Sequence, residues 1–195
     1  IIIFQTLLMV IGMVTGEEYS SKGIRAYTPF GYGWGVAIRI VAGKTSVYCA
    51  LYAIFAFFLL GLLPHFFSIP NIGNGLYIVL LLIPYLMATS FLGLAASRYF
   101  TDSEAPLLMI AFFSVGLIFL SGVSYPMELM PWYWKAAHYI LPAAPGTLAF
   151  VKLNSMGASM ADIRPEYITL WIQALIYFTI SIWVYKKKLE SNLIG

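Results

Sequence analysis

The residues Gly43-Lys44-Thr45 are of the types that end a nucleotide-binding loop. Such a loop needs another glycine six residues before its lysine, because backbone N–H groups there must wrap the phosphates. Ile38 stands at that position, and its Cβ would obstruct the wrapping. An uncharged apolar run follows Lys44. The pattern therefore predicts that this chain does not bind ATP, and that Lys44 marks the edge of an apolar segment with its amine reaching the membrane surface.

The two histidines, His65 and His138, are the next candidates for chemistry, since histidine is the usual acid, base or metal ligand near neutral pH. Neither has a second histidine, a cysteine or an acidic residue at ligand spacing. The single cysteine, Cys49, lies inside an apolar run and has no intrachain disulfide partner. We expect no metal site. A membrane-embedded hydrolase or acyltransferase built on His138 stays open as an alternative function.

Two adjacent carboxylates, Glu17 and Glu18, are followed at helical spacing by Lys22 and Arg25. By themselves these charges fit a solvated helix with ion pairs between residues four apart. They specify no reaction.

The composition indicates a membrane protein. The chain is 61% hydrophobic and 10% charged, with a mean hydropathy of +0.86, whereas a soluble domain is about 25% charged. The net charge of +3 is small and the basic residues are scattered, so a nucleic-acid partner is not expected.

Four segments approach the roughly 20 apolar residues that a helix needs to cross the hydrocarbon core. They are residues 45–63, 75–97, 105–123 and 167–185. Residues 1–16 are also apolar and are interpreted as part of a truncated span. The prediction is an all-α polytopic bundle with about five spans. A secondary transporter, the other alternative, would need ionisable residues inside the spans to bind a coupling ion, and these four segments hold no Asp, Glu, Lys, Arg or His.

The basic residues predict the orientation through the positive-inside rule, with the C-terminus in the cytoplasm. The side predicted to be cytoplasmic carries eight, and the opposite side three: Lys22, Arg25, Arg39, Lys44, Arg98, Lys186, Lys187 and Lys188, against Lys135, Lys152 and Arg164.

The region 124–165 is predicted to form an external amphipathic hairpin. Pro131 suits the first position of a helix. At 100° per residue, one face of that helix carries Trp132, Lys135, His138 and Tyr139, and the other Tyr133, Ala136, Ala137 and Ile140. This helix is too short to span, and Pro142 and Pro145 end it before a second apolar stretch. We expect a re-entrant hairpin, which is tolerated at membrane depth only where protein or water covers its broken backbone. The alternative is a surface cap without a mechanism.

The order of these features resembles the membrane subunit of ABC-2 type transporters, over essentially the whole chain, from the second to the sixth span. The family's acidic motif, its glycine and its later Gly-Lys match Glu17-Glu18, Gly23 and Gly43-Lys44. Its later succession of Ser-Gly, Tyr/Phe-Pro, Met-Pro and Leu-Pro matches Ser121-Gly122, Tyr125-Pro126, Met130-Pro131 and Leu141-Pro142. The sequence departs from the family at Val151 and Lys152, where an arginine or glutamine often stands.

The resemblance implies that residues 1–195 are an N-terminally truncated transmembrane domain, with six spans when intact, in the inner membrane. It implies a dimeric exporter permease, paired with a second copy or a paralogue, served by a cytoplasmic ABC ATPase and in contact with the bilayer and a periplasmic adaptor. The chain itself would bind no cofactor, and ATP and Mg²⁺ would sit on the ATPase. Residues 17–43 would be the coupling segment, with these residues at the ATPase: Glu17, Glu18, Tyr19, Lys22, Gly23 and Arg25.

The resemblance also makes the hairpin an external gate. Its residues would be Tyr125, Pro126, Pro131, Trp132, Lys135, His138 and Pro142.

Overall fold

A computed structural model describes residues 1–20, 33–68, 72–97, 99, 104–125 and 129–191. The regular secondary structure in these ranges is helical, in agreement with the all-α prediction. The helices are α1 (Ile2–Ser20), α2 (Trp34–Phe57), α3 (Leu63–Phe66), α4 (Gly75–Ala96), α5 (Ala105–Leu120), α6 (Trp132–Ile140), α7 (Ala143–Met156) and α8 (Arg164–Ser191). A π-helical stretch, Phe58–Leu62, joins α2 to α3.

Three helices in the described part of the chain are long and apolar enough to cross a membrane: Trp34–Phe66, Gly75–Ala96 and Arg164–Glu190. They coincide with three of the four full spans that the sequence predicts. The apolar helices confirm a multi-pass α-helical membrane protein.

The fourth predicted span, 105–123, is shorter than expected. Helix α5 has 16 residues, which rise about 24 Å at 1.5 Å per residue, whereas the hydrocarbon core is about 30 Å thick. The Ser121 hydroxyl donates to the Ile118 carbonyl at 2.6 Å, and Gly122 has a positive φ of 76°. This conformation suits glycine and ends the helix. The apolar run continues beyond that point, so it predicted a longer helix than the structure contains.

Two other boundaries also differ from the prediction. Helix α1 continues past residue 16 to Ser20, and α2 begins at Trp34, well before residue 45. Glu18 and Lys44 therefore lie on helices. The predicted bounds were those of the apolar spans, and a helix can continue beyond its apolar part, since glutamate, lysine and arginine are good helix formers.

Helices α4 and α8 form the centre of the bundle. The Phe91 and Phe178 rings are 4.9 Å apart, and the buried Ser181 hydroxyl donates to the Phe91 carbonyl at 2.7 Å. Helix α1 packs against α4 through Gly93, where an added Cβ would lie 3.0 Å from Ile11. In the most apolar 18 residues of the α4 span, 61% of the residues are buried, against 17% for the span that begins with α2. Helix α2 therefore lies at the periphery.

Helix α7 approaches α4 most closely at Gly146. A Cβ there would lie 2.3 Å from Cδ2 and 2.4 Å from Cε2 of the buried Tyr85 ring. A ring held inside a packed core cannot retreat without displacing its neighbours.

We expect Gly146→Ala to destabilise the fold by about 1–3 kcal/mol, because overpacking forces side chains off their rotamers. The measurement is the thermal unfolding midpoint in detergent. Gly116→Ala is the matched control, because nothing lies within 4 Å of the Cβ it adds. An equal midpoint for the two variants would contradict the tight contact at Tyr85.

Candidate functional site

An ion pair joins α1 to α2. The Lys44 ammonium donates to the Glu18 carboxylate, and the two side chains are 12% and 23% exposed. Lys44 Nζ also lies 3.3 Å from the Tyr185 hydroxyl and 5.2 Å from the centre of its ring. The Lys44 amine, which was expected to reach the membrane surface, contacts partners within the protein, and the Glu18 carboxylate balances its charge, which makes burial of the ammonium tolerable.

Lys188 extends these contacts to α4. Its Nζ donates to the Ser97 carbonyl oxygen at 3.0 Å and lies 3.1 Å from the Ser97 hydroxyl. It also lies 5.5 Å from the centre of the Tyr185 ring. We call the set Glu18, Lys44, Ser97, Tyr185 and Lys188 the basic-end network. It links the ends of α1, α4 and α8 to α2.

The basic-end network contains part of the predicted coupling site. Glu17 and Glu18 lie in α1, as does the Tyr19 backbone. Lys22, Gly23 and Arg25 lie outside the described residues, so the coupling helix over 19–25 stays a prediction. In the sequence Glu18 and Lys44 belong to separate features. In the structure they form an ion pair, although a long segment separates them in the chain.

Helices α6 and α7 form a hairpin at the other end of the bundle. Gly146, near the start of α7, lies against Tyr85 at the middle of α4. Near the other end of α7, the Asn154 carbonyl accepts from the Ile72 N–H at 3.3 Å, just before α4 begins. The hairpin tip, at Leu141 and Pro142, therefore lies about halfway along α4.

The broken backbone at this tip is covered by α8. Gln173 Nε2 donates to the Tyr139 carbonyl at 2.7 Å, and the Tyr177 hydroxyl donates to the Ile140 carbonyl. Helix α6 ends at Ile140, so these carbonyls have no partner within the helix. Both donors come from a neighbouring helix, which meets the condition for irregular backbone at membrane depth. The sequence did not indicate Gln173 or Tyr177.

His138 holds α6 against the end of α5. Its side chain is 2% exposed, and Nδ1 lies 2.7 Å from the Leu120 carbonyl oxygen. A carbonyl can only accept, so Nδ1 carries the proton. Trp132 is 80% exposed and Tyr139 55%, so neighbouring elements cover the predicted face at His138 and leave it open at these two residues. Helix α6 directs its His138 side chain toward the Leu120 carbonyl, which lies at the end of α5.

The other predicted gate residues are divided between surface and core. Tyr125 and Pro131 line a shallow groove with Trp134. Lys135 is half-buried, and Pro142 is buried at the tip. Pro131 caps α6 and does not begin it. Pro126 lies outside the described residues.

A second ion pair joins α7 to α8, where Lys152 Nζ lies 2.6 Å from Glu166 Oε1. Lys152 is one of the two residues at which the sequence departs from the family pattern. In the structure this lysine pairs with Glu166. The loop between these helices is closed by Asp162, whose Oδ2 accepts from the Ser159 N–H at 2.8 Å and hydroxyl at 2.7 Å. These hydrogen bonds hold the pKa of Asp162 below its usual value.

Metal ligands are not grouped in the part of the chain that the structure describes: no three His, Cys, Asp or Glu side chains there could hold an ion together.

Replacing Gln173 by leucine should loosen the hairpin tip, because the partly buried Tyr139 carbonyl loses its donor, and a lost hydrogen bond costs about 1 kcal/mol. We expect faster hydrogen–deuterium exchange at residues 137–146. Thr169→Val is the control on the same helix, since the Thr169 hydroxyl donates to the Pro165 carbonyl one turn earlier and so bonds within α8. Unchanged exchange in Gln173→Leu would show that the tip does not depend on this bond.

The comparisons with known proteins identify the family. A family model described as ABC-2 family transporter protein matches residues 1–183. No curated protein and no solved structure matches the chain at a significant level. The match covers nearly the whole chain and agrees with the apolar helices, so this chain belongs to the ABC-2 transporter family.

Proposed function

We propose that this chain is the permease subunit of an ABC exporter, which moves its substrate outward using ATP hydrolysed on a separate subunit. Family membership supports the coarser statement, a membrane permease of an ABC transporter that associates with a cytoplasmic ATPase. The proposal adds the outward direction, a dimer of permeases, and an inner-membrane location with the basic end in the cytoplasm. ATP and Mg²⁺ would be bound by the ATPase, and a periplasmic adaptor would be a further partner.

The basic-end network is the observation that carries this proposal. Glu18 and Lys44 lie at the two ends of the segment 17–43, which the family resemblance assigns to the ATPase contact. A movement of that segment would be transmitted through Lys44 to Tyr185 of α8. Lys188, on the same helix, would transmit it to Ser97 at the end of α4. Buried or half-buried polar contacts of this kind have discrete arrangements, which suits them to transmit a movement.

Helix α8 would carry the movement to the hairpin. It has 28 residues, about 42 Å in length, and is unbroken from Arg164 to Ser191. Its basic end contacts Lys44 and Ser97, while Gln173 and Tyr177 hold the tip of the hairpin. A tilt of α8 would therefore displace the tip, and the hairpin would act as the external gate.

The enzyme alternative has less support. Members of this family are transport components and are not themselves catalytic. His138 Nδ1 donates to the Leu120 carbonyl, which gives this side chain a packing role between α5 and α6.

Breaking the ion pair tests the coupling role. We expect Glu18→Gln and Lys44→Gln each to lower substrate-stimulated ATPase activity of the reconstituted permease–ATPase complex by roughly 2- to 30-fold, the range for residues that carry coupling. The double variant Glu18→Lys with Lys44→Glu restores the attraction and should recover part of the activity. Membrane insertion and ATPase binding, followed by co-purification, should persist in all three.

Lys187→Gln is the matched control, because it removes one lysine charge from the same end of α8, where Lys187 lies over the Trp183 ring. It should leave stimulation unchanged. Normal assembly and transport by Glu18→Lys alone would show that the coupling assignment is wrong.

A further inference from the structure

A groove runs along the periphery of the bundle between α2 and α8, with α4 as its floor. Its volume is about 480 Å³ and its lining is almost wholly apolar. Its lining includes Ala42, Thr45 and Cys49 of α2, Phe91 of α4, and Trp171 and Phe178 of α8. The groove lies on a membrane-spanning part of the fold, beside the least buried span.

Two cationic side chains, those of Arg39 and Lys186, lie toward the basic end of the bundle from this groove. Arg39 is exposed and precedes Ala42 by three residues, so it shares the groove face of α2. It makes no ion pair within the described part of the chain. Lys186 of α8 lies over the Trp34 ring of α2 at 4.3 Å, and Trp34 is about 12 Å along α2 beyond the Ala42 end of the groove. Lys186 also pairs with Glu190 at 3.3 Å, an exposed contact within one helix that leaves it available to another anion.

A polar group lies between the cations and the apolar part of the groove. The Thr45 side chain lines the groove, and its Oγ1 is buried without a hydrogen-bond partner among the described residues. Thr45 is six residues from Arg39, about 9 Å along α2. A buried hydroxyl normally finds a partner, so an acceptor is expected at this height.

We propose that this groove binds one acyl chain of an anionic phospholipid, with the lipid phosphate at Arg39 and Lys186. The Thr45 hydroxyl donates to the ester carbonyl of the same lipid. From Lys186 to Trp171, at the far end of the lining, is about 22 Å along α8, a length that accommodates a lipid headgroup and part of its acyl chain. Aromatic residues such as Trp34 favour the headgroup level of a bilayer.

The charges favour a lipid over a second copy of this chain. Two copies related by a two-fold axis along the membrane normal would meet basic end to basic end, with the same patch on both sides. Arg39 and Lys186 would then face their own counterparts, and like charges across an interface oppose association. An anionic headgroup satisfies both cations. The proposal depends on membrane insertion alone and does not depend on the direction of transport or on the ATPase.

Native mass spectrometry of the purified chain with added phosphatidylglycerol or phosphatidylcholine tests the site. We expect one retained lipid, with phosphatidylglycerol preferred about fivefold per cation, as for basic residues at an anionic surface. Arg39→Gln should lower that preference about fivefold. Lys187→Gln, an equal loss of charge on the opposite side of α8, should leave it unchanged.

A separate variant tests the part of the proposal that concerns the acyl chain. Ala42→Trp fills the groove at an exposed position and should abolish retention of both lipids, whereas Val47→Trp, also exposed but pointing away from the lining, should not. Equal retention in the two tryptophan variants would overturn the proposal. Loss of a dimer in Ala42→Trp with lipid retention unchanged would also overturn it, by assigning the groove to a second copy.

Discussion

Backbone carbonyls that have lost their helical partners constrain this structure at the ends of α4, α5 and α6. The carbonyls of Leu120, Tyr139 and Ile140 all lie where a helix ends, and each accepts a hydrogen bond from a side chain of another helix. The Ser97 carbonyl, at the end of α4, accepts from Lys188 in the same way. A carbonyl that is removed from water without a donor is costly, so α8 stabilises the hairpin tip by donating to Tyr139 and Ile140.

Helix α8 supplies most of these donors, and this explains its central position. Gln173, Tyr177, Ser181 and Lys188 follow one another along it, and each donates to the backbone of a neighbouring element. The spacing of four to seven residues keeps them near one side of the helix. One unbroken helix therefore holds both the hairpin tip and the basic-end network, which is why a movement at one end is expected at the other.

The lysines of this chain occupy different environments, although they look equivalent in the sequence. Lys44 and Lys152 are paired with carboxylates between helices, and Lys188 binds a helix end. Lys186 and Lys187 lie over tryptophan rings at the periphery. Counting lysines predicts orientation because every one near the surface contributes. The count does not separate the lysines that join helices from those that lie over tryptophan rings at the periphery.

The sequence by itself determined the class of the protein, the position of three long apolar helices and the presence of the α6–α7 hairpin. Hydropathy and proline placement are local properties, and they were sufficient for these conclusions. Only the tertiary structure decided that Glu18 pairs with Lys44, that His138 faces α5, and that Gln173 covers the hairpin tip. Each of these contacts joins residues that are distant in the chain. Their partners are backbone carbonyls or charges whose position depends on how the helices pack, and a hydropathy pattern carries no information about that packing.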